Sequence, residues 1–313
     1  MGAAMYALQV LALVFVAVVG IGVFVALALY VIDSVQSNDA IRRNYPVIGR
    51  FRGLFTKLGE FFRQYFFAMD REEMPFNRAQ RDWVYHATKG KDNTVAFGST
   101  RNLNIPGTPI FVNAVFPPLD DQFATTDPMV IGPHARVPYL ARSIYNISGM
   151  SYGAISKPAV EALSKGACEA GIWLNTGEGG LSKYHLEPGG DIIWQIGTGY
   201  FGCRNPDGSF NDEAFAERAA YESVKMIEIK LSQGAKPSHG GVLPGAKVTE
   251  EIAKIRLVEV GKTVNSPASH PEFDNPKGLL HFVERLRNLS GGKPIGVKLC
   301  LGKKIEFMAI VKA

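Results

Sequence analysis

Lys230, Gln233, Lys236 and His239 crowd into one glycine-rich stretch, IKLSQGAKPSHGGVLPG (229–245), directly behind the apolar alternation VKMIEI (224–229). Ammonium, carboxamide and imidazole groups at the end of a strand entering a core suit the binding of an anion, and the glycines let the backbone approach it. Lys230 belongs to the strand itself, where an unpaired ammonium is costly, so it needs an anionic partner. Glu178, in NTGEGG (175–180), can supply one from a neighbouring strand. Lys298, in PIGVKL (294–299), poses the same problem. An internal Lys–Glu pair without a ligand would satisfy one such lysine; two lysines inside two neighbouring strands are hard to explain as packing.

Other chemistries are absent or fail a context test. GTGYFG (197–202) matches the dinucleotide pattern G-x-G-x-x-G, but CRNPDGSF follows it, a turn where that motif requires a helix. There is no phosphate-binding G-x-x-x-x-G-K-[ST], no H-E-x-x-H and no G-x-S-x-G. Cys168, Cys203 and Cys300 are widely spaced, without a C-x-x-C or a zinc-ligand pattern, and are expected to be buried thiols in a reducing compartment, with no metal. The net charge of +5 is spread with its signs mixed, which argues against nucleic acid.

The elements that must position these groups alternate after Pro138. SIYNISG (143–149) reads as a strand and SKPAVEALSKGACEAG (156–171) as a helix, with Ser156 as N-cap, Pro158 in the first turn and Gly171 closing it. Strands follow at 172–177, 224–231 and 294–299, separated by a glycine-rich excursion and by helices near 211–222, from Val248, and near 276–288. Strands separated by helices form parallel βαβ units, hence an α/β fold with a doubly wound sheet or a (β/α)8 barrel. In either fold the site lies at the C-terminal strand ends. GMSYG (149–153), NTGEGG, SQGAKPSHGG and LGKK (301–304) are those ends.

The N-terminal region is of another kind. No charged side chain occurs between Met1 and Ile32, a run longer than the roughly 20 apolar residues that span a bilayer. It lacks the basic start and short apolar core of a cleaved signal peptide, so residues 1–33 are expected to be a single transmembrane anchor. Arg42, Arg43, Arg50, Arg52, Lys57 and Arg63 follow, which places the main domain in the cytoplasm by the positive-inside rule. The 34–70 segment contains FRGLFTKLGEFFRQYFF (51–67), whose aromatics recur at helical spacing between cations. That pattern suits an amphipathic helix either on the membrane surface or packed on its own domain. Residues 71–140, with short apolar runs such as TPIFVNAVF (108–116), read as an irregular extension with a few strands, and 141–313 as the α/β domain. Asn146 and Asn288 begin sequons that a cytoplasmic domain leaves unused.

GMSYGAIS (149–156), NTGEGG, IEIKLSQGAKP (227–237), the GG-x-LPG-x-KV pattern (240–248) and IGVKL (295–299), in this order, resemble the FMN-binding synthase domain of glutamate synthases. The similarity is strongest to the family's membrane-anchored members. It runs from about Ser143 to Ala313, and the segment from Asp70 also looks like that subfamily. The resemblance implies a (β/α)8 barrel with FMN at the strand ends, reducing an imino acid formed from 2-oxoglutarate and ammonia to glutamate. By position, Gly149, Met150 and Ser151 would lie against the flavin, Thr176 beside it, and Lys298 near the pyrimidine edge of the ring. Glu178, Gln233 and Lys236 would carry the catalysis, with Lys230, Arg256 and His239 on the substrate side.

There are departures from the family pattern. Large glutamate synthases read G-E-G-G-Q after K-P; here SHGGV (238–242) puts His239 in place of the acid and Val242 in place of the glutamine. Four barrel strands precede LGKKIEFMAIVKA (301–313), so about four βα units of an incomplete barrel are expected. The flavin phosphate site and the clustered cysteines of the family's iron–sulfur centre would then lie outside these residues, and Cys168, Cys203 and Cys300 do not have the cluster's spacing. A second chain or an electron-donor protein would be a partner. The alternatives are another FMN-dependent barrel oxidoreductase and a catalytically inactive membrane-anchored fragment.

Overall fold

An apolar run with no charge can satisfy its backbone by itself only as a helix, and residues Gly2–Val35 form one, α1. The computed structural model describes residues 2–91, 101–110, 112, 114–124, 127–231, 233–236 and 238–313. They fall into two units, Met1–Val115 and Phe116–Ala313.

In the first unit, Met5–Val35 of α1 is long and apolar enough to cross a membrane. Asp39 then caps α2 (Ala40–Asn44) by accepting the backbone N–H groups of Ile41 and Arg42. Helix α3 (Ile48–Phe62) follows and runs into a single π-helical turn, Arg63–Phe67. The extension read as irregular contains a further helix, α4 (Arg78–Thr88). Asn77 and Gln80 start it with reciprocal caps, a local signal that outweighs the low apolar content of the segment. TPIFVNAVF forms no strand in its described residues; Phe111 and Asn113 lie outside them.

The second unit opens with an antiparallel pair, β1 (Met129–Ile131) and β2 (Tyr139–Ala141). After α5 (Lys157–Ala170) come β3 (Leu174–Asn175), the short α6 (Lys183–Leu186), β4 (Ile192–Ile196), α7 (Asp212–Ala219) and β5 (Val224–Lys230). A long connection holds the pair β6 (Val242–Leu243) and β7 (Val264–Asn265), with α8 (Glu250–Arg256) between them. Then follow α9 (Pro276–Leu289), β8 (Ile295–Lys298) and α10 (Lys304–Lys312). Side-chain caps start three of these helices: Asn211 for α7, Thr249 for α8 and Asn275 for α9. Gly171 closes α5 in the left-handed region at φ 64°, as its sequence requires.

The sheet is four-stranded and parallel in the order β3-β4-β5-β8, so its strands follow chain order, with the separate β6–β7 pair inserted between β5 and β8. Its membership corrects the sequence reading. Residues 143–149 are not a strand: only Ile147 pairs, in a single bridge to Leu174. The Asn146 side chain takes the place of a ladder, donating to Ser143 O and accepting from Trp173 N. The missing strand is β4, IIWQI, which sat unrecognised within the glycine-rich excursion. All five of its residues are buried, so it shows no alternation, and glycines bound it on both sides.

Helices α7 and α9 cover one face of the sheet. Phe215 and Ala219 of α7 and Leu279, Phe282 and Leu286 of α9 form one core with Trp194, Ile196, Ile227 and Ile229. On the other face Tyr139 and Ala141 of β2 pack on Ile193 and Met226. A third cluster joins Val160 of α5, Tyr184 of α6 and Val248, Ile252 and Ala253 around α8.

Candidate active site

The face opposite the helices is polar. Register aligns Gln195 with Glu228 and Glu228 with Gly296, and sets Lys230 beside Lys298. Adjacent parallel strands present register partners on the same side. Glu228 Oε1 accepts from the carboxamides of Asn175 at 2.9 Å and Gln195 at 2.5 Å. Asn175 Oδ1 in turn accepts from Gly177 N. Gly149 lies directly over this network: a Cβ there would stand 2.7 Å from Asn175 Oδ1, so no larger residue fits without moving it.

Glu178 stands where the strand ends converge. Its Oε1 accepts from Gln233 Nε2 at 2.6 Å and faces Lys230 Nζ at 3.3 Å, with both the glutamate and the lysine largely shielded from solvent. Gly197, following β4, and Gly241 approach the same carboxylate so closely that side chains there would compete with it. Oε2 has no partner among the described residues. Glu178, Gln233 and Lys236 line two adjoining cavities. One, of about 170 Å³, also touches Thr198, Lys230, His239, Pro267 and Cys300. The other, of about 130 Å³, is walled by Ser151, Phe201, Val242, Leu243, Val264 and Arg256.

Arg256, the last residue of α8, is 5% exposed. One Nη2–H is donated to Tyr152 O at 2.8 Å and the guanidinium lies over the Phe201 ring at 5.1 Å. Its Nε is buried without a partner. Burial pushes its pKa below the ordinary range, and the nearby Glu178 charge acts in the opposite direction. Arg256 lines the smaller cavity, and a guanidinium there suits the binding of a carboxylate.

The structure therefore brings Glu178, Lys230, Gln233, Lys236, His239 and Arg256 around the paired cavities, with Ser151 on the smaller one. Gly149, Met150, Thr176 and Lys298 line neither. Gly149 and Lys298 belong to the polar face, while the Met150 backbone packs against Gly177. The Thr176 side chain points into the core, where its hydroxyl accepts from Gln195 N and donates to Gly177 O. Asn175, Gln195 and Glu228 were not singled out from the sequence. Their signal is polar residues at alternate positions of otherwise apolar strands. Among the described residues no group of three His, Cys, Asp or Glu could hold a metal ion. Of the cysteines expected to be buried, Cys203 is, whereas Cys168 and Cys300 are exposed.

Residues 121–313 match the conserved region in glutamate synthase. The chain belongs to the glutamate synthase family. It is 40% identical to the glutamate synthase large subunit-like protein YerD of Bacillus subtilis, over 89% of this chain and 60% of that protein. It is 37% identical to the archaeal-type glutamate synthase [NADPH] of Thermotoga maritima, over 49% of this chain and 28% of that one. With the archaeal glutamate synthase [NADPH] of Methanocaldococcus jannaschii the identity is 38%, over 52% and 30%. The chain thus spans less than two thirds of the length of these relatives. The family match begins at Asp121, and the YerD similarity reaches further toward the N-terminus, as its 89% coverage requires.

Proposed function

We propose that this chain carries the flavin-facing and substrate-facing residues of an FMN-dependent oxidoreductase of glutamate synthase type. The observation that carries the reading is the convergence of the nearly buried Arg256 with Glu178, Gln233 and Lys236 on one cavity. The sequential strand order, with α7 and α9 on one face, supports a (β/α)8 barrel of which these are about four units, the polar face turned to its axis. The apolar α1 supports anchoring to a membrane, with the second unit in the cytoplasm.

The polar face fits the ring of a flavin. Gly149 lets its backbone close on Asn175, and Lys298 presents an ammonium with no ion-pair partner among the described residues, suited to a ring edge bearing carbonyl groups. When bound, FMN would supply the hydride that reduces the imino carbon. The residues of the chain do the remainder. Arg256 and Lys236 hold the carboxylates of 2-oxoglutarate. Ammonia adds at the keto carbon and water leaves; Glu178, its Oε1 fixed by Gln233 and Lys230, exchanges the protons of that step through Oε2. The imine would take that hydride at carbon and a proton at nitrogen to become glutamate.

Val242, Leu243 and Val264 make one wall of the smaller cavity apolar, which favours as a second reading the same chemistry on a different oxo acid. Both are tested on the full detergent-solubilised chain loaded with FMN and freed of excess. A retained visible flavin band, reduced anaerobically and then restored by 2-oxoglutarate with ammonium, is the expected result. Restoration by another oxo acid alone would select the second reading. A colourless protein would overturn both.

A further inference from the structure

Helix α3 carries a face that the protein itself does not use. Phe51, Leu54, Phe55, Leu58, Phe61 and Phe62 recur at three- and four-residue spacing and share one side, yet no residue of α3 is buried and Phe55 is 66% exposed. Arg52, Lys57 and Arg63 lie on the opposite arc with a single acid, Glu60. A stripe of aromatics backed by cations fits an interface between acyl chains and anionic headgroups.

The helix is also held at a set attitude to α1. Asp33, at the end of the apolar run, has a side chain only 1% exposed. It accepts from Arg50 Nη2 at 2.6 Å and Nε at 2.8 Å, and from Val47 N at 3.1 Å. Gly49 brings α3 onto α2 so tightly that a Cβ would stand 3.2 Å from Arg42 Cα. A two-toothed guanidinium–carboxylate pair fixes direction as well as distance. A desolvated acid at the end of a membrane span demands such a partner.

We infer that α3 lies in the headgroup plane of the membrane, its aromatic side in the acyl boundary and its Arg52, Lys57 and Arg63 side toward anionic headgroups, and that the Asp33–Arg50 pair is the clasp that keeps it there. The inference rests on the reading of α1 as a membrane span.

The test uses the full chain with Cys168 and Cys300 replaced by serine, reconstituted in phosphatidylcholine vesicles with or without phosphatidylglycerol. Spin labels go at Leu13→Cys, Phe55→Cys and Lys57→Cys, and their accessibility to oxygen and to a water-soluble nickel chelate is compared. The expected result is a label at 13 reached by oxygen only, a label at 55 favouring oxygen several-fold over the chelate, and the reverse at 57. Phosphatidylglycerol should widen the contrast between 55 and 57; no change would remove the anionic-headgroup part of the inference. A label at 13 open to the chelate would sink the span itself. A label at 13 deep in the bilayer with 55 as open to chelate as 57 would place the helix in water. Protection of 55 from both reagents would mean that protein, a partner or a second copy, covers the face. Arg50→Ala should cost position 55 several-fold of its protection and leave 13 unchanged; an unchanged 55 would overturn the clasp.

Discussion

On the helix-covered face of the sheet, Trp194, Ile196, Ile227 and Ile229 are all but sealed from solvent, while one residue along each strand Gln195, Glu228, Lys230 and Lys298 line the opposite face. The same strands thus serve cohesion and chemistry on alternate positions. Register is what keeps the two apart, because a one-residue slip would send the lysines and Glu228 into the helices. The polar face can carry charge only because the other face supplies the burial.

The largest test of that division is Trp194→Ala. The indole is fully buried and stacked on Phe215 at 5.3 Å, so its removal should cost about 3–5 kcal/mol of stability, read as a lowered urea midpoint. Trp194→Phe should cost much less, since the indole N–H has no partner to lose. Equal losses in the two variants would mean that the N–H matters after all.

Glu178→Gln probes the other face. It keeps the shape beside Gln233 and removes the proton-exchanging carboxylate, so under the proposed chemistry glutamate formation should fall by about 10²–10⁴-fold. Stability should fall by about 1–3 kcal/mol, because Lys230 is left as a shielded charge without its counter-charge. A collapse of stability with little change in turnover would reverse the roles assigned to the two faces.

The same contrast explains what could be read from the sequence. The residues around the cavities were legible because Lys230, Gln233, Lys236 and His239 break the expectations for a strand end. Helix α5 was legible from Pro158 in its first turn and Gly171 at its end, which are local signals, although the Ser156 side chain at its start makes no cap hydrogen bond. Strand β4 was hidden because a strand buried on both faces loses its alternation. Residues 143–149 misled because Asn146 meets the needs of the neighbouring backbone with its side chain, which no periodicity records. Nor could spacing reveal that the Thr176 side chain turns inward: a strand end leaves the facing of the next residues to the tertiary fold.

Ionisable groups buried outside the site should register in stability alone. Burial lowers the His185 pKa to about 4, and Ser182 N donates to its Nδ1, an arrangement that requires neutral imidazole. The folded chain therefore binds fewer protons than the unfolded one between about pH 6.5 and 4. The stabilising contribution is full above about pH 6.5 and is lost as pH falls through the folded value, amounting to about 3 kcal/mol from this residue. His185→Gln should flatten the slope of stability against pH in that window. Some slope should survive, because burial also lowers the pKa of His270, which bonds Tyr200 and Lys230 O.

The smallest effect should come from a lysine of the same strand as Lys230 but outside the site. Lys225 faces Asp191 at 3.8 Å with both side chains about a third exposed, a pair that water and salt screen. Lys225→Ala should change stability by no more than about 0.5 kcal/mol. Lys230→Ala leaves Glu178 as a shielded charge without its cation and should cost several times as much. If the two substitutions proved equal, the lysine at the strand end would be only another solvated charge, and the polar face would lose its claim to be a site.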